Sequence, residues 1–161
     1  MITTGIRLAT VADTQAFGRR LAAVLRAGDL VLLSGPLGAG KTALVQGIGA
    51  GLAVTGAITS PTFVIARVHR PDPAHGGATP LVHADAYRLG DAVDPRAEID
   101  DLDLDASADE AVTVVEWGDG LVEHLSDNHL RVRIDRLDDD TRVVDLLPYG
   151  GDWAHRLKGL G

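Results

Sequence analysis

Residues 30–42 read LVLLSGPLGAGKT, and this stretch decides the fold. The run Leu30–Ser34 is short and apolar, which is typical of a strand buried on both faces of a parallel sheet. The residues after it match the spacing Gly-x-x-x-x-Gly-Lys-Thr at every specified position. They are Gly35, Pro36, Leu37, Gly38, Ala39, Gly40, Lys41 and Thr42. Since a helix is predicted from Lys41 onward, the pattern indicates a phosphate-binding loop between a strand and a helix.

A loop of this kind binds anions because unpaired backbone N–H groups converge there and the helix dipole adds to their field. In that geometry the amides of residues 37–42 surround the phosphates, Lys41 reaches the β and γ oxygens, and the Thr42 hydroxyl binds Mg²⁺. A chance glycine-rich turn is the alternative, and the flanking strand and helix argue against it. The chain has thirteen arginines and only two lysines, yet a lysine stands here. A compact ammonium fits a cradle that a planar guanidinium would crowd.

Two acidic residues follow predicted strands, at the points where those strands end. Asp85 comes after Leu81–Ala84, and Glu116 comes after Val112–Val115. The carboxyl ends of parallel strands meet at the edge that holds the phosphate loop. We therefore expect both carboxylates to serve the metal and the attacking water. A surface-exposed acid is the alternative in each case.

Three other residues near the predicted strands have chemistry to weigh. Thr62, in the stretch Ser60–Phe63, offers a hydroxyl where a switch loop would touch the γ-phosphate and the metal; a plain proline turn is the alternative. Trp117 is interpreted mainly as packing. His83 and Asp85 form an H-x-D pair, but no third imidazole or thiolate has matching spacing, so we expect no zinc site.

Hydrophobic periodicity and turn residues predict the remaining elements. A helix over about Val11–Arg26 begins at a capping box formed by Thr10 and Asp13. The helix from Lys41 contains three glycines, each costing about 1 kcal/mol relative to alanine, so tertiary packing must hold it. The other predicted elements are strands over 63–68, 81–84, 112–115, 129–134 and 142–146 and a short helix over 119–125.

The order of these elements predicts one α/β domain over residues 1–161. Its fold class is the three-layer P-loop NTPase fold, with a mainly parallel sheet and an antiparallel C-terminal pair. Residues 150–161 are predicted to form a loosely docked tail.

Composition excludes several classes of function. The chain has no cysteine, so disulfides, thiolate metal sites and cysteine nucleophiles are absent. The net charge is −8, and Asp91–Glu110 holds nine carboxylates against the single base Arg96. The chain therefore lacks the broad basic face of a stand-alone nucleic-acid binder, and the acidic segment is either a solvated surface or a docking surface. No apolar run approaches the roughly 20 residues that span a bilayer, so we expect a soluble, cytoplasmic protein with no membrane partner.

Taken in their order along the chain, these motifs resemble those of the TsaE (YjeE) family. Its members are small P-loop ATPases required for making threonylcarbamoyladenosine in bacterial tRNA. The glycine loop alone indicates only a large superfamily. Three further motifs are specific to the resemblance, which covers about two-thirds of the sequence. They are S-P-T-F at Ser60–Phe63, H-A-D-A-Y-R-L at His83–Leu89 and E-W at Glu116–Trp117.

The resemblance implies an ATPase that is weak alone and works with the proteins TsaD and TsaB, meeting tRNA only through that complex. ATP and Mg²⁺ would be its cofactors. Carried over, Lys41 and Thr42 serve the phosphates and Mg²⁺, and Thr62 lies in a switch-like loop. Asp85 and Glu116 serve the metal and water, and Trp117 supports the site. Val11, at the start of the first helix, and Arg142 would lie by the adenosine.

The sequence departs from the family pattern modestly, without loss of a catalytic group. Ala84 and Ala86 replace larger residues, Phe63 stands where tyrosine is common, and Gly118 follows the tryptophan where proline is frequent. Two rival functions remain: a small-molecule P-loop kinase, and a nucleotide-gated binding module without significant turnover. The choice between ATP and GTP is open as well, since no base-reading motif of the N-K-x-D type is found.

Overall fold

A computed structural model describes residues 3–35, 40–54, 66–85, 111–116, 128–158 and 160. Seven strands of this part of the chain form one sheet. They are β1 Thr3–Leu8, β2 Leu30–Ser34, β3 Ala66–His69, β4 Leu81–Asp85, β5 Val112–Glu116, β6 His129–Arg136 and β7 Arg142–Tyr149. The described helices are α1 Val11–Ala22, α2 Lys41–Leu52 and α3 Trp153–Arg156, with a short 3-10 turn at Pro73–His75.

The sheet has the strand order β1-β7-β6-β2-β5-β4-β3. Its four central strands, β6, β2, β5 and β4, run parallel, while β7 pairs antiparallel with both β6 and β1. In the centre, Val31 pairs with Val114 on one side and Leu130 on the other. Val31 and Leu32 point to opposite faces and are 1% and 0% exposed, so both faces of β2 are covered. The mainly parallel sheet and the antiparallel C-terminal pair are confirmed.

Helices α1 and α2 approach each other closely because glycines line their contact. A Cβ added to Gly47 would lie 2.1 Å from the carbonyl oxygen of Gln15, and one on Gly18 would lie 2.5 Å from that of Leu44. The contact brings Phe17 of α1 into the same apolar core cluster as Leu44. The expectation that tertiary packing holds the glycine-containing helix is confirmed, and its cause is backbone-to-backbone contact that any side chain would prevent.

The capping box at the start of α1 is confirmed. The Thr10 hydroxyl oxygen accepts from the Asp13 N–H at 3.0 Å, and the Asp13 carboxylate accepts from the Thr10 N–H at 3.2 Å. The predicted end at Arg26 is wrong, since the helix stops at Ala22. The next residues hydrogen-bond three positions back instead of four, ending with the Leu25 N–H to the Ala22 carbonyl, so the last turn tightens and the α-helix ends.

The prediction of a loosely docked tail is also wrong. Trp153, Leu157 and Leu160 are 2%, 4% and 6% exposed and belong to the core cluster. Arg156 stacks on Trp153, with its guanidinium carbon 4.0 Å from the ring centroid, and forms a largely buried ion pair with Asp29. Apolar side chains at helical spacing, together with this ion pair, fasten the segment to the rest of the chain.

Other boundaries differ by a few residues. The strand β1 was not predicted, and β6 and β7 extend beyond the predicted 129–134 and 142–146. The strand predicted over 63–68 is found over Ala66–His69, with 63–65 outside the described residues. The predicted helix over 119–125 and the acidic segment 91–110 also lie outside them. Within the described ranges, no helix has the length and apolarity needed to cross a membrane.

Candidate nucleotide-binding site

The glycine loop and both predicted acids meet at one edge of the sheet. Since β2, β4 and β5 are parallel, their carboxyl ends lie together. Gly35 directly follows β2, Glu116 ends β5, and Asp85 ends β4. Glu116 pairs in register with Leu33 of β2 and with Asp85 of β4. The topology therefore brings Asp85 and Glu116 to neighbouring positions next to the start of the loop, as the sequence predicted.

The glycines at both ends of the loop adopt backbone conformations that disfavour a side chain. Gly35 has φ +152°, and a Cβ there would lie 2.2 Å from the carbonyl oxygen of Ile134. Gly40 has φ +101°, and its Cβ would lie 3.1 Å from the Nε of Arg142. Residues 36–39 between them are outside the described part of the chain. The backbone conformation therefore favours glycine at both ends of the loop, and lack of space also requires it at Gly35.

The first turn of α2 is suited to an anion. Gly40 is its N-cap and has no side chain that could accept a hydrogen bond from the helix N–H groups, and the turn contains no acidic residue. By contrast, α1 has a complete capping box. A helix terminus without a side-chain cap presents the positive end of its dipole, which favours a bound anion.

Lys41 brings a positive charge to the mouth of this loop. The residue is only 7% exposed, and its ammonium donates a hydrogen bond to the Gly35 carbonyl oxygen at 2.7 Å. This contact spans the loop from the start of α2 to the end of β2. Thr42 follows in the same turn and is half-buried. The ammonium and the positive end of the helix dipole together place positive charge at the start of α2.

Glu116 is a buried carboxylate at this edge. It is 4% exposed, and its Oε2 lies 3.6 Å from Nε2 of His83, which is fully buried in β4. The surface alternative considered for Glu116 does not fit this burial. A buried carboxylate at the carboxyl end of a parallel strand is suited to bind a divalent cation or an ordered water.

Arg142 and Val11 lie at the same end of the molecule as the loop. Arg142 begins β7, where it lies against Gly40 and donates to the carbonyl oxygen of Asp140. Helices α1 and α2 run parallel, since Gln15 is opposite Gly47 and Ala22 is opposite Gly51. The first residue of α1, Val11, is therefore at the loop end of the helix pair, and it is 54% exposed.

Thr62, Trp117 and the loop residues 36–39 were all predicted to belong to the site, and they lie outside the described residues. One neighbour was missed: the contact of His83 with Glu116. The signal was present, because alternation along β4 puts His83 on the same face as residue 85, and β4 and β5 were both predicted strands. What the sequence lacked was their register, with His83 opposite Val114.

Comparison with known proteins now identifies the family. The family described as "Threonylcarbamoyl adenosine biosynthesis protein TsaE" matches residues 8–144. The chain belongs to the TsaE family. The match runs from the last residue of β1 to the third residue of β7, so it takes in the glycine loop, both acids and Arg142.

Individual TsaE proteins agree with this assignment. The chain is 58% identical to the tRNA threonylcarbamoyladenosine biosynthesis protein TsaE of Streptomyces coelicolor, over 85% of this chain and 91% of that protein. It is 53% identical to the protein of that name from Mycobacterium tuberculosis, over 85% and 82% of the two chains. The Bacillus subtilis protein of that name is 35% identical over 86% and 81%.

A solved structure supports the fold. The crystal structure of YdiB from Bacillus subtilis superimposes with a TM-score of 0.78, covering 99% of this chain and 95% of that chain at 28% identity. The TsaE family and this fold fit a P-loop NTPase, and they suggest nucleotide binding.

Proposed function

We propose that this chain binds ATP with Mg²⁺ in the loop Gly35–Thr42 and hydrolyses it in support of threonylcarbamoyladenosine formation in tRNA. The observation that carries the proposal is the position of Lys41. Its ammonium is buried at the start of α2 and lies 2.7 Å from the carbonyl oxygen of Gly35, the residue after β2. This hydrogen bond holds the positive charge of Lys41 beside the loop, where it would stabilise a phosphate anion. The names of the TsaE relatives support the tRNA process.

The proposed role of each site residue follows from the chemistry of its side chain. Lys41 and the N–H groups at the start of α2 hold the phosphate oxygens through charge-assisted hydrogen bonds. The Thr42 hydroxyl and the carboxylates of Glu116 and Asp85 are hard oxygen donors of the kind Mg²⁺ takes. Bound Mg²⁺ supplies neutralisation of the charge that develops on the phosphates. The acid that does not meet the metal orients the attacking water, and Thr62 senses the γ-phosphate.

The nucleoside is expected on the side of the loop where Val11 and Arg142 lie. The exposed side chain of Val11 offers an apolar surface to a base. The guanidinium of Arg142 lies beside Gly40, so we expect it to contact the phosphates or the ribose. Weakened nucleotide binding in Arg142→Ala, with normal folding, would support this assignment.

The proposed partners are inferred from the family to which the chain belongs and from the net charge of the chain. We propose that the chain acts with TsaD and TsaB in the cytoplasm and meets tRNA only through them. A net charge of −8 opposes direct binding to a polyanion. In a gel-shift at about 150 mM salt, where screening is moderate, bare tRNA should not bind tightly. Tight binding of bare tRNA, or TsaD binding that ignores ATP analogues, would count against this role.

Release of ADP without an acceptor separates hydrolysis from its rivals. We expect slow Mg²⁺-dependent release by the chain alone and faster release with TsaD and TsaB. A kinase would release ADP only with a phosphate-accepting small molecule. A binding module would bind ATP but would release no ADP under any of these conditions.

A further inference from the structure

His83 is a buried polar residue without an evident structural role. It sits in the middle of β4 and is 0% exposed. Among the described residues, neither of its ring nitrogens has a hydrogen-bond partner. Buried polar groups without partners destabilise a fold and are uncommon, so an apolar residue would serve packing better. The imidazole therefore requires another explanation.

A carboxylate oxygen of Glu116 lies close to the His83 ring. His83 Nε2 lies 3.6 Å from Glu116 Oε2, and the carboxylate is itself almost fully buried. The registers explain the approach, since His83 is opposite Val114 and Glu116 follows two residues later on the same face of β5. A hydrogen bond of about 2.9 Å needs a side-chain movement of less than about 1 Å.

We propose that His83 is a positioning residue for Glu116. Its Nε2–H donates to Oε2 of the carboxylate and leaves the second oxygen for the metal or water at the loop. A neutral ring is sufficient for this donation, so the role needs no change of protonation. The inference deepens the proposed function and rests on it, because Glu116 is the group through which His83 acts. Outer hydrogen bonds of this kind fix the direction of a ligating carboxylate.

The hydrogen bond itself can be tested without activity. In protein labelled with ¹⁵N in histidine, the His83 Nε2–H should give a slowly exchanging signal, assigned by its loss in His83→Gln. We expect the signal to shift or to exchange faster in Glu116→Ala. A His83 signal that is the same in the parent and in Glu116→Ala would overturn the proposal, whatever the ATPase result.

The functional consequence is tested with a matched pair of variants. His83→Gln keeps an N–H donor near the position of Nε2, and His83→Leu keeps much of the volume without a donor. For the leucine variant, kcat should fall about 10- to 100-fold, with little change in the Kd for ATP·Mg. Its melting temperature should change little, because loss of the hydrogen bond to Glu116 is offset by removal of the buried Nδ1, which has no partner among the described residues. The glutamine variant should recover most of the rate.

A double variant separates positioning from packing. In a Glu116→Gln background, His83→Leu should have little further effect on kcat, because the group it positions has already been changed. Additive losses would overturn the proposal, as would a parental kcat in His83→Leu. If His83→Leu does not fold, His83→Met takes its place with the same expected results. If the parent shows no Mg²⁺-dependent ATP binding or turnover, the proposed function is refuted. The NMR experiment then still shows whether His83 donates a hydrogen bond to Glu116.

Discussion

Substituting Gly47 by alanine sets helix propensity against packing. Propensity alone predicts a gain of about 1 kcal/mol in the free energy of unfolding. In the structure, however, the new Cβ would lie 2.1 Å from the carbonyl oxygen of Gln15, 2.8 Å from its carbonyl carbon and 3.0 Å from its Cα. All three atoms are backbone, so no side chain can rotate away. Helix α1 must move by more than about 1 Å to restore ordinary contact, since carbon atoms pack at about 3.5 Å.

The size of the effect follows from these two terms. Overpacking of this kind costs about 3 kcal/mol at the upper end of the usual range, and the propensity gain offsets about 1 kcal/mol. We expect a net destabilisation of about 2 kcal/mol, which lowers the melting temperature by about 4–8 °C for a domain of this length. Circular dichroism during thermal unfolding measures it, and a urea series with an unchanged m-value confirms that stability has changed.

The same helix offers a control. Ala50 is exposed on α2, so Ala50→Gly should cost about 1 kcal/mol through propensity alone. Under a propensity account, Gly47→Ala and Ala50→Gly shift the melting temperature in opposite directions. Under the packing account, both lower it, Gly47→Ala by more. A melting temperature of Gly47→Ala above that of the parent would refute the close contact between α1 and α2.

The remaining predictions concern the tail and the site. Arg156→Ala should lower the free energy of unfolding by about 3 kcal/mol, because it removes the ion-pair partner of the largely buried Asp29. Arg26→Ala, which breaks an exposed ion pair, should lower it by less than about 1 kcal/mol. Denaturation midpoints of the two variants and the parent measure the difference. Gly35→Ala should abolish ATP binding seen by calorimetry, because its Cβ meets the Ile134 carbonyl. Glu116→Ala should lower kcat much more than ATP affinity, and equal losses of rate and affinity, or an unchanged rate, would contradict its role.

The site-bearing part of the fold was predictable because its signals are local. The run Leu30–Ser34 and the glycine spacing identify a strand and a loop without reference to the rest of the chain. The capping box at Thr10 identifies the start of α1 for the same reason. Once β2, β4 and β5 are taken as parallel strands, the meeting of Asp85 and Glu116 beside the loop follows from topology.

The missed features depend on distant parts of the chain. β1 contains Gly5 at φ +72° and a register irregularity, so its strand conformation comes from pairing with β7 and from the Gly5 N–H bond to Asp145. The tail is held by Arg156, whose partners Val24 and Asp29 lie far back in the sequence. Pairing and docking across such separations leave no mark in a local pattern. For the contact between His83 and Glu116, alternation along β4 indicated the face, and only the register between β4 and β5 was missing.

The chain's two lysines provide the most direct test of the central claim. Lys41 is buried against the glycine loop, whereas Lys158 is exposed after α3. Calorimetric titration of ATP·Mg into the parent, Lys41→Ala and Lys158→Ala compares loss of the same side chain at the two places, with circular dichroism to show that each variant is folded. We expect Lys158→Ala to bind like the parent and Lys41→Ala to bind about 10- to 100-fold more weakly, because a charge-assisted contact of about 1.5–3 kcal/mol is lost. A folded Lys41→Ala with a Kd for ATP·Mg equal to that of the parent would contradict the assignment of the nucleotide to this loop.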